Sequence, residues 1–315
     1  MAYVPVEGHE VVLKRGSVEV VVVDNAAEKS AQLPQHRRGY SGVAAIRHDA
    51  NHDDDHRQDD AAPRNLFVPE YAGLNFEHIH DGTTQDRDIL FEPRVSPNRL
   101  RRIDDHTVEL YQPPTETWGV ESCQRYELLA DGTVQLTVEL IPRRATFRHG
   151  YMGLFWASYI DQPESKDIFF RGVNDGAGDT AEWIRGVTPA HGKLSTHLGV
   201  EDRRAFEHDA DFPLTLVFNN SRHTYIEPWY YGVSHGMAYV LMFRPQDEVR
   251  FTQSPSGGGD GNPAWDFQYL VDDVKVDRLY RFVVRAMYTP FESPKQIERD
   301  SAAHREALGQ ANRSE

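Results

Sequence analysis

The stretch RYELLADGTVQLTVEL, residues 125–140, determines the fold class of this chain. Two runs of alternating apolar and polar residues flank Asp131 and Gly132, and glycine supplies the positive φ that a tight turn between antiparallel strands requires. The pattern therefore predicts a β-hairpin, with strands at 119–129 and 132–142. Eight other short runs, rich in Val, Leu, Tyr and Thr, predict strands at 18–24, 41–48, 106–113, 214–219, 236–243, 249–254, 265–271 and 280–288.

Strands at this spacing exclude a parallel α/β sheet, because a parallel crossover needs a dozen or more residues between its strands. A large antiparallel sandwich or barrel remains, and we expect residues 1–315 to form one domain. Helical periodicity is convincing only at 293–310, where Ser293 is the predicted N-cap and Pro294 suits the first helical position. The sequence thus predicts an all-β protein with a short C-terminal helix.

The composition restricts the partners of the protein. The 34 Lys and Arg against 49 Asp and Glu give a formal charge of -15, which repels nucleic acid and anionic membrane surfaces, so we expect neither as a partner. Cys123 is the single cysteine, which excludes an intrachain disulfide and a thiolate metal cluster. The first residues lack the pattern of a signal peptide, and we expect a cytoplasmic protein, although a leader removed earlier would leave the same sequence.

Three stretches carry a resemblance to a known family. They are EVVLKRGSVEVVVVDNAA with GYSGVAAIRH (10–48), TWGVESCQRYELLADGTVQLTVELIPRRATF (117–147) and DRLYRFVVRAMYTPF (277–291). Their strand order resembles the galactose mutarotase-like superfamily, which includes aldose 1-epimerases and domains of many glycoside hydrolases and polysaccharide lyases. The resemblance implies a large two-sheet antiparallel β-sandwich and a saccharide as the small-molecule partner.

The catalytic motifs of the epimerases do not transfer to this chain by position. The resemblance implies a histidine acid in an Asn-His-x-Tyr-Phe segment and a glutamate base in a late Glu-Pro-Gln segment. The nearest stretches here are GLFWASYI (153–160), which has the aromatic residues without a histidine, and VRFTQSPSG (249–257), which has glutamine without glutamate. Any acid and base must therefore come from elsewhere in the sequence.

The stretch NFEHIHDG, residues 75–82, places His78 and His80 two apart on a predicted strand. Residues two apart face the same side of a strand, so both imidazoles can reach one sugar ring or one metal ion. Imidazole titrates near neutrality, which suits proton transfer. The aromatic residues that precede the pair favour a sugar, because rings stack on sugar faces. The alternative is an ordinary strand with histidines at its wet end.

An open catalytic metal site needs about three protein ligands. Candidates for the third ligand beside His78 and His80 are Glu227, His235 and His149. Imidazole ligands favour zinc or manganese over calcium. The metal hypothesis is therefore a divalent ion held by His78, His80 and Glu227.

The stretch SRHTYIEPWYYGVSHGMAYVLMF, residues 221–243, combines carboxylate, imidazole and aromatic groups as a sugar site requires. Glu227 precedes a proline, which restricts its backbone to an extended or turn conformation and helps to aim the carboxylate. Glu227 is the candidate base and His235 the candidate acid, or the reverse. Alternatively, the segment is a connection whose aromatic residues seal one end of the sandwich.

Two polar loops complete the candidate sites. The stretch SPSGGGDGNPAWDF (254–267) lacks the strand and helix of a phosphate-binding loop, so we expect a rim or lid over a saccharide site, with Trp265 at its end, or a plain surface loop. The tract NHDDDH (51–56) lacks the glycine of an EF-hand loop, and it predicts a solvated acidic loop.

Further candidates for substrate binding are Arg87, Trp156, His223, Tyr230 and Arg285. An arginine near the site suits elimination next to a sugar carboxylate, for which Arg87 or Arg285 could serve.

The leading hypothesis is a carbohydrate-active enzyme that performs acid-base chemistry on a sugar, as an epimerase (isomerase) or a lyase, through His78, His80, Glu227 and His235. Hydrolysis needs the same acid and base and is an alternative. A non-catalytic saccharide-binding protein is another. A third reading is a structural subunit, with the aromatic segment 225–231 in an interface.

Overall fold

The computed structural model describes residues 3–51, 63–174 and 180–310 of the chain. The strands are β1 (Glu10–Arg15), β2 (Val18–Val23), β3 (Gly42–His48), β4 (Asn75–His80), β5 (Arg99–Arg102), β6 (Thr107–Gln112), β7 (Val120–Leu128), β8 (Val134–Pro142), β9 (Met152–Ala157), β10 (Ile168–Val173), β11 (Glu182–Gly186), β12 (Thr196–His197), β13 (Thr224–Ser234), β14 (Met237–Phe243), β15 (Arg250–Ser254), β16 (Ala264–Val271) and β17 (Tyr280–Pro290). The helices are α1 (Arg87–Leu90), α2 (Glu92–Val95), α3 (Pro294–Asp300) and α4 (Ala302–Gln310).

The strands form three antiparallel sheets. A nine-stranded sheet has the order β11-β10-β13-β14-β17-β8-β7-β6-β5, a five-stranded sheet has the order β12-β15-β16-β9-β4, and β1, β2 and β3 form a third sheet. The predicted hairpin joins β7 and β8, where Gly132 has a φ of 86° and Asp131 Oδ1 accepts the Thr133 N–H at 3.0 Å. The prediction of an antiparallel β-sandwich is confirmed.

Alternation along each strand divides the residues between two faces. The inner faces of the nine-stranded and five-stranded sheets share one core, in which the Trp156 ring stacks on Phe76 at 4.4 Å and on Phe267 at 5.7 Å. From the nine-stranded sheet, Leu136 and Val138 of β8 add fully buried side chains to this core. The outer face of the five-stranded sheet is left for other contacts.

The C-terminal helices cover the outer face of the nine-stranded sheet. Trp229 and Tyr231 of β13 pack there with Ile297 of α3 and Leu308 of α4. The Ser293 hydroxyl accepts the backbone N–H of Gln296 at 3.2 Å, as the predicted N-cap requires. The predicted C-terminal helix is confirmed as two short helices that meet at Ser301.

One local prediction is wrong. The apolar run 214–219 forms a 3₁₀ turn at Thr215–Val217 instead of a strand, because its leucines pack onto the outer face of the five-stranded sheet from a loop. The segment around Glu227 belongs to the long strand β13, so it takes the extended one of the two conformations expected before a proline. Its pairing with β10 is interrupted between Tyr225 and Tyr230, and proline is tolerated where the ladder is interrupted.

None of the helices in the described ranges is both long enough and apolar enough to cross a membrane. The acidic tract NHDDDH lies almost wholly outside the described residues.

Trp265 of β16 contacts Gly232 of β13, so a substitution at Gly232 tests the packing between the two large sheets. A Cβ on Gly232 would lie 2.4 Å from the Trp265 ring, so we expect Gly232→Ala to reduce the free energy of unfolding. Overpacking of this kind costs about 1–3 kcal/mol, which urea denaturation measures directly. Gly309→Ala in α4 is the control, since no atom lies within 4 Å of its Cβ position and alanine favours helix. Equal stability of the two variants would contradict this packing.

Candidate active site

A β-bulge in β4 decides which side chains reach the outer face of the five-stranded sheet. The register between β4 and β9 gains one residue between Phe76 and His78. As a result, Phe76 and Ile79 point into the core, whereas Glu77 and His78 both line a pocket on the opposite face. The bulge therefore places a carboxylate beside an imidazole, which regular alternation would not do.

The pocket has a volume of about 350 Å³. Its base comes from β4, β9 and β16, and its walls come from α1, α2, the loop that follows β15, and the segment 213–216. Its charged or titratable lining includes Glu77, His78, Arg87, Arg94, His191 and Asp266. The pocket thus collects two acids, two imidazoles and two guanidinium groups.

Glu77 is held by two donors. Arg94 Nη1 donates to Glu77 Oε1 at 3.0 Å, and the Tyr159 hydroxyl donates a short hydrogen bond to the same oxygen. Burial raises the pKa of Glu77, and the positive charge of Arg94 with these hydrogen bonds opposes the rise. The pair is buried, with side-chain exposures of 5% for Glu77 and 16% for Arg94, so the cation compensates the buried carboxylate.

Asp266 is the second buried acid. It lies on β16, which is separated from β4 by β9 alone, and its Oδ1 accepts the Ser158 backbone N–H at 2.9 Å. Burial raises the pKa of Asp266 well above its ordinary value, the Ser158 N–H opposes the rise, and the charge of Glu77 adds to it. The surroundings therefore favour the protonated form of Asp266 more strongly than that of Glu77.

Tyrosine rings form an apolar wall beside these acids. Tyr71 lies 4.7 Å from Tyr40 and 5.0 Å from Tyr159, measured between ring centroids. The Arg94 guanidinium lies 3.9 Å from the Tyr40 centroid, which places a cation over the ring face. All three tyrosines line the pocket, and such clustered rings provide stacking surfaces for the C–H faces of a ligand.

His78 is an uncharged neighbour of Glu77. Its Nε2 lies 3.7 Å from Glu77 Oε2, and its ring meets Phe91 edge to face at 4.0 Å. Burial, followed by the charge of Arg94, lowers the pKa of His78 to about 3. The imidazole is therefore neutral near pH 7.

His80 shares the outer face with His78, as the sequence predicts, but it does not line the pocket. Its ring is fully buried among Tyr151, Phe212 and Phe218. Burial lowers the pKa of His80 to about 3. Among the residues that the structure describes, neither ring nitrogen has a hydrogen-bond partner. A segment of loop thus separates His80 from the pocket.

Glu227 and Arg285 lie on the outer face of the nine-stranded sheet. Glu227 Oε2 accepts hydrogen bonds at 2.8 Å from both Trp229 Nε1 and Arg305 Nη1 of α4. Arg285 Nε donates to Gln135 at 2.9 Å, and its Nη1 lies 3.1 Å from His304 Nδ1. Both side chains anchor the C-terminal helices on that face, away from the pocket.

His235 and His223 stand at opposite ends of β13 and do not line the pocket. His235 occupies the turn before β14 with a φ of 51°, and its backbone N–H donates to Glu164 at 2.7 Å. The His223 backbone N–H donates to Ser221 Oγ at 2.9 Å.

Trp156, Tyr230 and Trp265 belong to the core instead of the pocket. Trp156 Nε1 donates to Gln124 at 3.0 Å, the Tyr230 hydroxyl donates to the Asp266 backbone carbonyl at 2.9 Å, and Trp265 Nε1 donates to the Lys166 carbonyl at 3.1 Å. All three are fully buried. Of the side chains singled out from the sequence for catalysis or substrate binding, only His78 and Arg87 line the pocket.

The proposed metal ligands do not assemble. Glu227 lies on a different sheet from His78 and His80, on the face that packs against the C-terminal helices. Within residues 3–51, 63–174 and 180–310, no group of three or more His, Cys, Asp or Glu side chains is arranged to hold a metal ion. His149, the other candidate, pairs instead with Asp209 at 3.2 Å.

Sequence reasoning missed Glu77 and Asp266. Strict alternation assigns Glu77 to the face opposite His78, so only the bulge reveals it. Asp266 carried a usable signal, because in WDFQYLV an acid and a glutamine alternate with aromatic residues, which indicates a polar second face on a buried strand. The glycine-rich loop does border the pocket, through Ser254 and Gly257.

No family model and no curated protein sequence matches the chain. Solved structures do match. An α-N-acetylgalactosaminidase from Bifidobacterium bifidum aligns with 95% of this chain and 39% of its own, at 11% identity and a TM-score of 0.53. A putative aldose 1-epimerase from Escherichia coli K12 aligns with 90% of this chain and 99% of its own, at 12% identity and a TM-score of 0.49.

A galactose 1-epimerase from Lactobacillus acidophilus aligns with 92% of this chain and 99% of its own, at 9% identity and a TM-score of 0.45. Identities this low concern the fold alone. The large antiparallel β-sandwich expected from the sequence is confirmed as the fold of the chain.

The raised pKa of Asp266 makes stability depend on pH. Because the folded-state pKa lies above the ordinary value of 3.8, burying this acid uncharged favours folding below pH 3.8, and that contribution is lost as pH rises through the folded-state pKa. We expect wild type to lose stability relative to Asp266→Asn from about pH 4 upward, since asparagine cannot ionise. Urea denaturation of both proteins across pH measures the difference. A difference that stays constant with pH would contradict the shift.

Proposed function

We propose that this protein is a carbohydrate-active enzyme that transfers protons to and from a sugar bound in the Glu77–Asp266 pocket. One observation carries the proposal. Two buried carboxyl groups, on strands that flank β9 on either side, open into one pocket lined by tyrosine rings. A sugar site requires this combination of aromatic surface with a few charged or hydrogen-bonding groups.

The two acids differ in their surroundings, and this difference assigns their roles. Arg94 and Tyr159 stabilise the negative charge of Glu77, so Glu77 is the base. Asp266 has one backbone N–H at its Oδ1 and feels the charge of Glu77, so it keeps its proton and is the acid. Pairs of carboxyl groups whose environments separate their pKa values divide acid and base roles in this way.

The reaction that these roles support is acid-base chemistry on one sugar ring, as in an epimerase or a lyase. Asp266 would protonate an oxygen of the sugar, and Glu77 would accept a proton from a hydroxyl or a carbon of the same ring. His78, being neutral and in contact with Glu77, would position the base and donate a hydrogen bond to the ligand. The fold shared with sugar-processing enzymes supports a saccharide as the ligand.

The test is turnover of a panel of aldoses and oligosaccharides by wild type, Glu77→Gln and Asp266→Asn. Interconversion of anomers or epimers is followed by NMR, and elimination by the ultraviolet absorbance of the unsaturated product. Loss of a positioned acid or base reduces kcat by about 10²- to 10⁴-fold, so we expect each variant to lose activity on that scale.

Glu109→Gln and Asp247→Asn are the matched controls, because both acids are buried against an arginine outside the pocket. We expect them to keep wild-type kcat per folded molecule. Saccharide binding without turnover would indicate a binding protein instead. Full activity in Glu77→Gln and Asp266→Asn would overturn the proposal.

A further inference from the structure

Arg87 is the pocket cation that the proposed acid-base pair leaves unused. It lines the pocket from the start of α1, and its side chain is solvent-exposed. Arg94 pairs with Glu77, whereas no acidic side chain in the described part of the chain forms an ion pair with Arg87. Arg87 contacts the ring of Phe91, and its guanidinium donates no hydrogen bond to any residue that the structure describes, so its N–H donors can serve a ligand.

Arg87 lies close to the two pocket residues of β4 through the ring of Phe91. Its guanidinium carbon lies 4.2 Å from the centroid of Phe91, and the Phe91 ring lies 4.0 Å from that of His78. Burial raises the pKa of Glu77, and the charge of Arg94 and, more weakly, that of Arg87 oppose the rise. The guanidinium therefore acts on the interior of the pocket as well as on its mouth.

The charge balance of the pocket favours a negatively charged ligand. Glu77 is compensated by Arg94, and burial favours the uncharged form of Asp266, so Arg87 adds a positive charge that no acid of the pocket pairs with. The chain as a whole has a formal charge of -15. An anion is repelled by most of such a surface, and this local cation is what would draw it to the site.

From this geometry we infer that the saccharide carries an anionic substituent, a carboxylate or a phosphate, which Arg87 binds. The inference rests on the proposed function and adds the class of substrate to it. Arginine offers a planar fork of donors that matches the oxygens of either anion. The pocket volume of about 350 Å³ is at the lower end for small-molecule sites, which suits one or two sugar rings.

The experiment compares matched ligands on the full chain by calorimetry at low salt. The ligands are glucose and galactose, their uronic acids, the same sugars phosphorylated on the primary hydroxyl, and inorganic sulfate. The proteins are wild type, Arg87→Gln, Arg87→Lys and Glu77→Gln. Hydrogen bonds to a charged group contribute about 1.5–3 kcal/mol, so we expect Arg87→Gln to weaken binding of the acidic sugars about 10- to 100-fold.

Neutral sugars should bind Arg87→Gln as they bind wild type, and Arg87→Lys should keep part of the affinity for the acidic sugars. Tighter binding of the uronic acids than of the phosphates identifies the carboxylate, and the reverse order identifies the phosphate. Equal affinity of wild type for acidic and neutral sugars overturns the inference and leaves the proposed function standing. If Arg87→Gln loses affinity for acidic and neutral sugars to the same extent, the inference is likewise overturned and the proposed function stands.

Two other results would also overturn the inference, and the second of them would overturn the proposed function as well. Sulfate that binds as tightly as the acidic sugars shows an anion site without sugar recognition, which also overturns the inference. If no sugar binds wild type, and Glu77→Gln does not change turnover of any sugar, the proposed function and the inference fail together.

Discussion

The pocket depends on the buried contact between Glu77 and Arg94. Arg94 joins three parts of the chain, because it extends from α2 to Glu77 of β4, donates to the Gly39 carbonyl at 2.7 Å, and lies over the Tyr40 ring. Neither charge could be buried alone, since removal of one partner from such a pair costs about 3–5 kcal/mol. The contact therefore fixes the aromatic wall and aims the carboxylate in one arrangement, so the fold and the chemistry of the pocket depend on the same two side chains.

The two outer faces of the sandwich have different uses. Helices α3 and α4 seal the face of the nine-stranded sheet, and Glu227 and Arg285 serve that contact. The outer face of the five-stranded sheet is covered by loops and short helices, which leave room for a pocket. Polar residues beside aromatic residues occur on both faces, so composition alone does not distinguish a sealed face from an open one.

Much of the fold could be predicted from local signals. The Asp131–Gly132 turn, the alternating strands and the Ser293 cap act over a few residues, and the structure confirms them. The site depends on longer-range geometry. The direction of the His78 side chain was predicted correctly because alternation is regular from His78 to His80, but the position of Glu77 requires a bulge that no residue type announces. Glu227 was assigned to a site because the sequence does not show that Arg305, 78 positions later, binds it.

The bulge in β4 also affects how this chain compares with others that share its architecture. Deletion of a single codon between Phe76 and Ile79 would restore regular pairing with β9, leave the core aromatic residues in register, and remove one polar group from the outer face. Insertion of one codon at this position of a regular strand would create the bulge and add one polar group to the outer face. Evolution can therefore gain or lose an acid at this position through one small indel. In a chain without the bulge, a gap-free alignment that starts from Ile79 would therefore pair Glu77 with a core residue, and one that starts from Phe76 would pair His78 with a core residue.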